Sequence, residues 1–442
     1  MELRVLADGL GSKSTLAIGT VPLRTSRQLL LFLFICLMPF QDTILQATPL
    51  QRLGSSFSVL PLLALAFLST ADRVLTANLR VNRLVLYGSS YVFAVCLFGL
   101  LRFGFTSQDT NLVVESLKLC LETGLVFFVI FGLDYSDQRI LSMAVQTAFW
   151  IAVFGVAAYD LNFLGLRVVM ASPVFHQTVP EGFVDGRWRG LTKEPSVLAP
   201  LLMGVGLLSS HFSKSKAMKA TYWAVALAVT ALSGSKGGIL SMVLLIGVLF
   251  FAQAKVSVLR AVQLTVLAIP LAFLSIRILL PQIASEAIMY SMSVATRLTM
   301  QIWTGIVLLH FPFGVGFSGF LPAMKIYVLD AAAFLQSLSP FPLNFNEVSG
   351  YASSAQDAGA KTFLANYAAY FGFPFLFLAG RFCVRLVRDL YRQRNITLLA
   401  CVLFLIIQLC TSVDSVAYYN LYLPFGIAFY QCRKYANPTS AA

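Results

Sequence analysis

Long apolar stretches recur along the whole chain, and this pattern constrains the fold more than any other feature. Of the 442 residues, 58% are hydrophobic and only 12% are charged, and the mean hydropathy is +0.79. A water-soluble fold cannot bury so much apolar surface, so we predict an all-α integral membrane protein with about 12 transmembrane helices. The predicted spans lie near Gln28–Leu45, Phe57–Ala71, Leu84–Leu101, Asn111–Leu133, Ile140–Tyr159, Pro195–Ser210, Ala220–Ser233, Gly237–Gln253, Ser257–Leu280, Thr362–Gly380, Ile396–Ser412 and Val416–Gln431.

The basic residues alternate between the two sides of these spans and thereby predict the orientation of the chain. Of the 32 Lys and Arg residues, 20 fall on the side of both termini, 11 fall on the opposite side, and Lys118 lies within a span. Because cytoplasmic loops are enriched in Lys and Arg, we predict a multi-pass protein of the bacterial inner membrane with both termini in the cytoplasm. The basic residues are scattered through short loops, which argues against nucleic-acid binding despite the net charge of +13.

The predicted topology divides the chain into three parts. Residues 1–280 form a transmembrane bundle of about nine spans with an external loop at 161–194. Residues 281–361 form a large periplasmic loop with short amphipathic helices, for which Thr296–His310 and Asp330–Leu338 are candidates. Residues 362–442 form the last three spans and a cytoplasmic tail. Loops as long as the second part are uncommon without a function of their own.

Three basic motifs lie on the external side, where the topology disfavours basic residues. The charged residues of the first motif are Arg187, Arg189, Lys193 and Glu194. They directly precede Pro195, which suits the first turn of a helix. The planar guanidinium group donates paired hydrogen bonds to phosphate oxygens, so the motif predicts an anion site. The alternative is an interfacial loop that Trp188 anchors and whose Arg side chains extend toward water.

The second motif, Ser233–Gly238, is a short turn between two predicted spans. Its Gly and Ser residues expose backbone N–H groups, and Lys236 lies where the next helix begins. A helix N-terminus with an adjacent Lys favours anion binding. Any tight turn between helices also favours Gly and Ser, so the alternative is a purely structural turn.

The third motif combines Arg297, on the predicted helix Thr296–His310, with the turn at 311–319 that follows this helix. Gly314 and Gly316 lie in this turn among aromatic residues, which suit stacking on sugar rings. The alternative is that these aromatic side chains belong to an interfacial belt, as is common in membrane proteins.

Three charged residues lie within one predicted span. Glu115, Lys118 and Glu122 are spaced so that they share one helix face. An ionisable residue inside the bilayer indicates a function by default, and this triad therefore favours a transporter. The alternative is a structural role, in which the charges pair locally inside the helix bundle.

Taken in order, the three external motifs resemble those of the O-antigen polymerase and O-antigen ligase family. That family has an R-x-x-G and E-P-S segment before a span, S-x-S-[RK]-G-G between two spans, and an Arg before an H-P-F-G-V-G-x-G turn. The matching segments here are Arg187 or Arg189 to Ser196, Ser233–Gly238, and Arg297 with Phe311–Gly319. The resemblance extends from about Gly186 to Gly380.

The resemblance implies a GT-C-type membrane glycosyltransferase that needs neither a metal nor a cofactor. Its substrate would be a sugar chain on undecaprenyl pyrophosphate at the periplasmic face. An acceptor hydroxyl would attack the anomeric carbon, and the lipid pyrophosphate would leave. We predict Arg297 and Glu194 as the catalytic residues. The base is open among the external carboxylates Glu194, Glu347 and Asp357, and Glu194 ranks first because it adjoins the basic cluster. The implied residues for substrate and pyrophosphate binding are Arg187, Arg189, Lys193, Lys236, Gly314, Gly316 and Asn366.

One departure from the family pattern favours a polymerase. Ligases of the family carry a His just before the span that follows the large loop, whereas Lys361–Tyr367 contains none. We therefore predict a polymerase for O-antigen, capsule or exopolysaccharide. The alternatives are an O-antigen ligase that transfers glycan to lipid A core, and a polytopic transporter or flippase. The expected partners are the lipid-linked oligosaccharide, membrane lipid, and a flippase and chain-length regulator of the same pathway.

Overall fold

The computed structural model of the protein is almost entirely helical in the residues that it describes. These residues are 17–48, 53–54, 56–75, 83–107, 110–176, 187–253, 292–340, 342–353, 359–411, 413 and 418–436. The predicted span Ser257–Leu280 lies outside them.

Fifteen α-helices are present in this part of the chain. They are α1 (Ala17–Cys36), α2 (Val59–Leu75), α3 (Arg83–Phe103), α4 (Leu112–Phe127), α5 (Gln138–Tyr159), α6 (Arg167–Met170), α7 (Pro195–Phe212), α8 (Lys216–Leu232), α9 (Lys236–Gln253), α10 (Met292–His310), α11 (Gly316–Leu338), α12 (Asn346–Ser353), α13 (Phe363–Arg392), α14 (Ile396–Thr411) and α15 (Leu423–Ala436). A π-helical segment, Phe128–Gly132, extends α4, and Thr106–Ser107 pairs with Thr110–Asn111 as a two-residue antiparallel hairpin.

The described helices are those of a membrane protein. Five of them, α3, α5, α7, α11 and α13, contain segments long and apolar enough to cross a bilayer. Shorter apolar segments lie in α1, α2, α9 and α14. α7 is the most central of the five long helices: 78% of its residues are buried, and it packs against α5, α8 and α14. The predicted membrane class is confirmed, whereas the number of twelve spans stays a prediction.

The segment predicted as a loop with short helices contains two long ones. α10 has 19 residues, and α11 has 23 and meets the length and hydropathy expected of a span. The prediction of a separate short helix at Asp330–Leu338 is wrong, because these residues are the last turns of α11. Pro322 and the charged Lys325 obscured this helix in the sequence. Pro322 is inside the helix and removes the hydrogen bond that its N–H would have donated to Ser318, and α11 continues through it while packed against α3 and α10.

Helix ends that were predicted to lie on one side of the membrane do lie together. At one end of the bundle, the Gln28 amide donates to Asp137 over 3.0 Å, and Gln431 contacts His211 over 2.9 Å. At the other end, the Gln41 amide donates to the Asn420 side-chain oxygen over 3.0 Å. The ends of α1 and α5 and the starts of α7, α9 and α13 share this second end, which holds the candidate site.

Candidate functional site

The loop before α7 is fixed against the end of α5. Gly190 has a left-handed backbone (φ +55°), and a Cβ atom there would lie 3.0 Å from the Val156 side chain. Leu191 packs against Gly155 so closely that a Cβ atom on the glycine would lie 2.5 Å from Leu191 Cγ. Pro195 then opens α7, as predicted. This loop is therefore a rigid platform, since its centre is packed into the helix bundle.

Arg189 points into the bundle and is buried. Its Nη2 donates to the Tyr159 hydroxyl over 2.5 Å, and its guanidinium lies 4.8 Å from the centre of the Tyr159 ring. Nη1 donates to the Lys193 carbonyl over 3.3 Å and lies 3.9 Å from the Asp42 carboxylate. These contacts occupy the guanidinium group, so Arg189 holds the loop and is not free to bind a large glycan.

Two acidic residues, Asp42 and Asp160, and His176 complete this buried cluster. Asp42 and His176 are both fully buried, and the carboxylate lies 3.4 Å from His176 Nδ1. Burial lowers the pKa of His176, so the imidazole is neutral at pH 7. Asp160 accepts hydrogen bonds from the backbone N–H groups of Arg189 (3.1 Å) and Gly190 (2.7 Å). Burial nevertheless raises the pKa of Asp160 to about 6.

Arg187 takes the opposite direction and joins the first two motifs. Its side chain is exposed and crosses the turn between α8 and α9: a Cβ atom on Gly234 would lie 3.0 Å from Arg187 Cγ and 3.3 Å from Nε. Gly234 is left-handed (φ +64°), which a residue with a side chain adopts only with strain. The exposed guanidinium of Arg187 therefore lies beside the Gly/Ser turn, as a shared anion site requires.

The turn at Ser233–Gly238 ends in a capped helix N-terminus. The Ser235 hydroxyl accepts from the Gly238 N–H over 3.1 Å, and the Ser233 hydroxyl accepts from the Ser235 N–H over 3.3 Å. Lys236 is the first residue of α9, as predicted; its side chain lies outside the described atoms. The N-terminal turn of a helix favours a nearby anion.

A chain of hydrogen bonds joins the start of α9 to the start of α13. Gln408, in α14, donates its amide to the Gly237 carbonyl over 3.3 Å. The Val413 N–H donates to the Gln408 carbonyl over 3.0 Å, and the Phe363 N–H in turn donates to the Val413 carbonyl. These bonds fix the position of α13 relative to the Arg187 site.

Arg297 lies at the same end of the molecule, on α10. One turn along that helix, the Gln301 amide donates to the Thr362 hydroxyl over 2.9 Å, and Thr362 caps α13. The Arg297 side chain is half-buried, and its Nε atom is buried without a hydrogen-bond acceptor among the described residues. A buried donor of this kind favours an incoming acceptor, because the unpaired group is costly.

Glu347, one of the alternative candidates for the base, is engaged in a separate polar cluster. Lys361 Nζ lies 2.9 Å from its carboxylate, and the hydroxyls of Tyr351 and Thr296 donate to it over 2.6 Å and 2.7 Å. Although burial acts in the opposite direction, these hydrogen bonds lower the pKa of Glu347 below its usual value. A carboxylate held this strongly is a poor proton acceptor. Glu194 is exposed and, among the described residues, accepts a hydrogen bond from Ser196 Oγ over 3.0 Å.

The remaining predicted site residues are packed between helices. A Cβ atom on Gly314 would lie 2.3 Å from the Tyr370 carbonyl oxygen, and one on Gly316 would lie 2.9 Å from the Val95 carbonyl oxygen. Asn366 is buried and accepts from the Ala360 N–H over 2.8 Å. The structure thus gives these three residues a role in helix packing and in shaping the segment before α13.

The intramembrane charges separate into two environments. Lys118 Nζ lies 3.6 Å from the Glu115 carboxylate, so these two residues pair with one another. Glu122 is instead buried in the bundle, next to Thr123, whose hydroxyl lies 3.3 Å from the Tyr367 hydroxyl. Local pairing, the structural alternative, accounts for Glu115 and Lys118, and Glu122 is a buried carboxyl group outside that pair.

Comparison with known proteins gives one informative relative. The chain is similar to a protein of Klebsiella pneumoniae described as an uncharacterized 49.5 kDa protein in the cps region. The two are 27% identical over 416 residues, which cover 90% of each chain. No model of a known protein family matches the chain. The similarity therefore extends over most of both chains.

Proposed function

We propose that the protein is a polysaccharide polymerase that acts on undecaprenyl-pyrophosphate-linked glycans at the periplasmic face of the inner membrane. The observation that carries the proposal is the contact of exposed Arg187 with the turn that opens α9, at the end of the bundle that also holds Arg297. The cps-region location of the relative supports a role in capsule or another polysaccharide. The proposal includes a GT-C-type fold with about twelve spans and cytoplasmic termini.

In the proposed reaction, fixed cations take the part of a metal ion. The acceptor hydroxyl forms a bond to the anomeric carbon of the donor chain, while the bond from this carbon to the pyrophosphate oxygen breaks. Arg187, Lys236 and the N-terminus of α9 would bind the pyrophosphate, and Arg297 would stabilise its growing negative charge. Glu194 would accept the proton of the acceptor hydroxyl.

The sequence between Lys361 and Tyr367 favours a polymerase over a ligase. This segment contains no His, and the structure uses its residues for other contacts: Lys361 pairs with Glu347, and Thr362 caps α13. The buried Glu122 is the observation that favours the second candidate, a transporter or flippase.

Glycan profiling of a deletion strain tests these alternatives directly. If the protein is a polymerase, the deletion strain should accumulate single lipid-linked repeat units and make no long polymer. Complementation with Arg297→Ala should leave the polymer yield at least tenfold below that of the wild type. Intact polymer on undecaprenyl pyrophosphate would instead indicate a ligase. For a transporter, Glu122→Gln would block translocation while Arg297→Ala would leave polymer length unchanged, and this result would overturn the proposal.

A further inference from the structure

A second binding feature lies on the outer surface of α5, beside the polar site. Here the structure has an open groove of about 690 Å³ with a mostly apolar lining. Met143, Thr147, Trp150 and Phe154 form its floor, and their spacing of three and four residues places them on one helix face. From Met143 to Phe154 the groove follows the helix for about 16 Å.

The groove faces the position of the lipid. α5 is long and apolar enough to cross the bilayer, and the side chains of Met143, Trp150 and Phe154 are 52%, 43% and 44% exposed. The polar Gln146 at its edge already donates to Ser142 Oγ over 3.0 Å and so does not demand a polar ligand. An extended hydrocarbon chain is the ligand that such a surface suits.

One end of the groove is closed beneath the basic loop. Phe40 and Phe175 form this end, with their ring centres 5.8 Å apart, and Leu191 completes it. The Leu191 carbonyl accepts from the Gln41 N–H over 3.1 Å, which ties the loop to this end. Lys193 is two residues beyond Leu191 and is exposed. Arg187 lies four residues before Leu191, at most about 14 Å away along the chain.

We propose that this groove binds the polyprenyl tail of the lipid-linked glycan whose pyrophosphate lies at the Arg187 site. The inference rests on the proposed function and adds the lipid site to it. An apolar groove whose end is lined by Leu191, in the loop that carries the exposed Arg187 and Lys193, matches an amphiphile with a long apolar chain and a strongly anionic head. The aromatic side chains of Trp150, Phe154, Phe40 and Phe175 are suited to contact with the bulky methyl-branched isoprene units.

Photo-crosslinking of the full-length protein tests the proposal. The photoreactive residue p-benzoylphenylalanine replaces Phe154 in one variant and Phe98, which is 49% exposed on α3, in the matched control. Both are placed in phosphatidylglycerol and phosphatidylethanolamine nanodiscs that contain polyprenyl pyrophosphate, and adducts are identified by mass spectrometry. We expect at least a fivefold excess of polyprenyl adduct at Phe154 over Phe98. Equal labelling, phospholipid adducts alone or crosslinked dimers would overturn the proposal.

A blocking variant makes the test independent of the crosslinker. Thr147→Trp fills the floor of the groove and should reduce the Phe154 adduct at least fivefold. Val243→Trp, at a position 58% exposed on α9, should leave it unchanged. Adduct formation that survives Thr147→Trp would argue against the groove. The two proposals can fail separately. A polyprenyl adduct at Phe154 together with normal polymer in the deletion strain would reject only the polymerase. Loss of polymer in the deletion strain without an adduct at Phe154 would reject only the groove.

Discussion

Arg187 and Arg189 are two residues apart and have different roles. Arg189 is buried against Tyr159 and near Asp42, whereas Arg187 is exposed beside Gly234. The sequence predicted an anion site here but could not separate the two, because both fit the same motif. The distinction depends on Asp42, which is far away in the sequence and follows a different span.

The two arginines should therefore respond differently to replacement by alanine. Arg189→Ala leaves the Asp42 carboxylate without its nearest cation and should lower the free energy of unfolding by about 3–5 kcal/mol. Arg187→Ala should change it by less than about 0.5 kcal/mol but abolish long polymer. Thermal denaturation in detergent and glycan gels measure the two effects, with the exposed Arg139→Ala as a control for both. If Arg189→Ala were as stable as wild type and made no polymer, Arg189 would be the binding residue instead.

Glu347 and Lys361 form a second polar cluster with a measurable pH signature. The folded-state pKa of Glu347 is below its usual value. Its ionised form therefore stabilises the protein fully at pH values above the usual pKa, and this stabilisation is lost as the pH falls through the folded-state pKa. Glu347→Gln should lower the free energy of unfolding by about 1–3 kcal/mol at pH 7, because Lys361 loses a charged partner. When denaturation curves are measured at decreasing pH, the free energy of unfolding of the wild type should approach that of the variant below about pH 4. A difference that stayed constant with pH would exclude this ionisation as its cause.

At the scale of elements, the turn before α11 packs against Gly372, where the backbone of α13 departs from helical geometry. The Phe373 N–H donates to the Pro312 carbonyl over 2.8 Å, and the Val315 N–H donates to the Ala369 carbonyl over 3.0 Å. A Cβ atom on Gly372 would lie 2.2 Å from the Pro312 oxygen, and Gly372 is left-handed (φ +67°). The glycines of the third motif are therefore explained by backbone contact between two helices.

Replacement of Gly314 should thus affect stability before chemistry. Gly314→Ala places a methyl group against the backbone of Tyr370 at a positive φ of +89°, and should cost roughly 2–4 kcal/mol. Gly305→Ala, on α10 with no atom within 4 Å of the added Cβ, should be neutral or slightly stabilising. Thermal denaturation of both variants gives the comparison. If the Gly314→Ala protein were as stable as the wild type but made no polymer, the result would support the predicted contact of Gly314 with the substrate.

Sequence patterns predicted the helices better than they predicted the site. The apolar run at Ile396–Ser412 forms α14, Ile396–Thr411, because hydropathy alone defines such a segment. α11 was missed since Pro322 and two charges interrupt its apolar pattern, although neighbouring helices stabilise it. The Asp42–His176 contact joins residues 134 apart, and a single sequence contains no signal that pairs them.

At the scale of the whole molecule, the orientation in the membrane is open to a direct test. The ends of α5 and α8 and the starts of α7 and α9 should face the periplasm, because the basic residues favour the opposite end. Lys193→Cys should react with a membrane-impermeant maleimide in intact spheroplasts, and Lys216→Cys, in the first turn of α8, only after permeabilisation. The seven native cysteines are buried or half-buried, so the wild type serves as the background control. Reversed labelling would place the Arg187 site in the cytoplasm.

The hydrogen bond between Gln41 and Asn420 spans 379 residues of chain. A ribosome that adds about 5–20 residues per second needs roughly 20–80 s to make the second partner after the first. During this time the end of α1, and later the loop before α7, lack the segment that completes their packing. The contacts at this end of the bundle are therefore complete only when the last helices are inserted, and a chain that stops before Asn420 should lack the packed site.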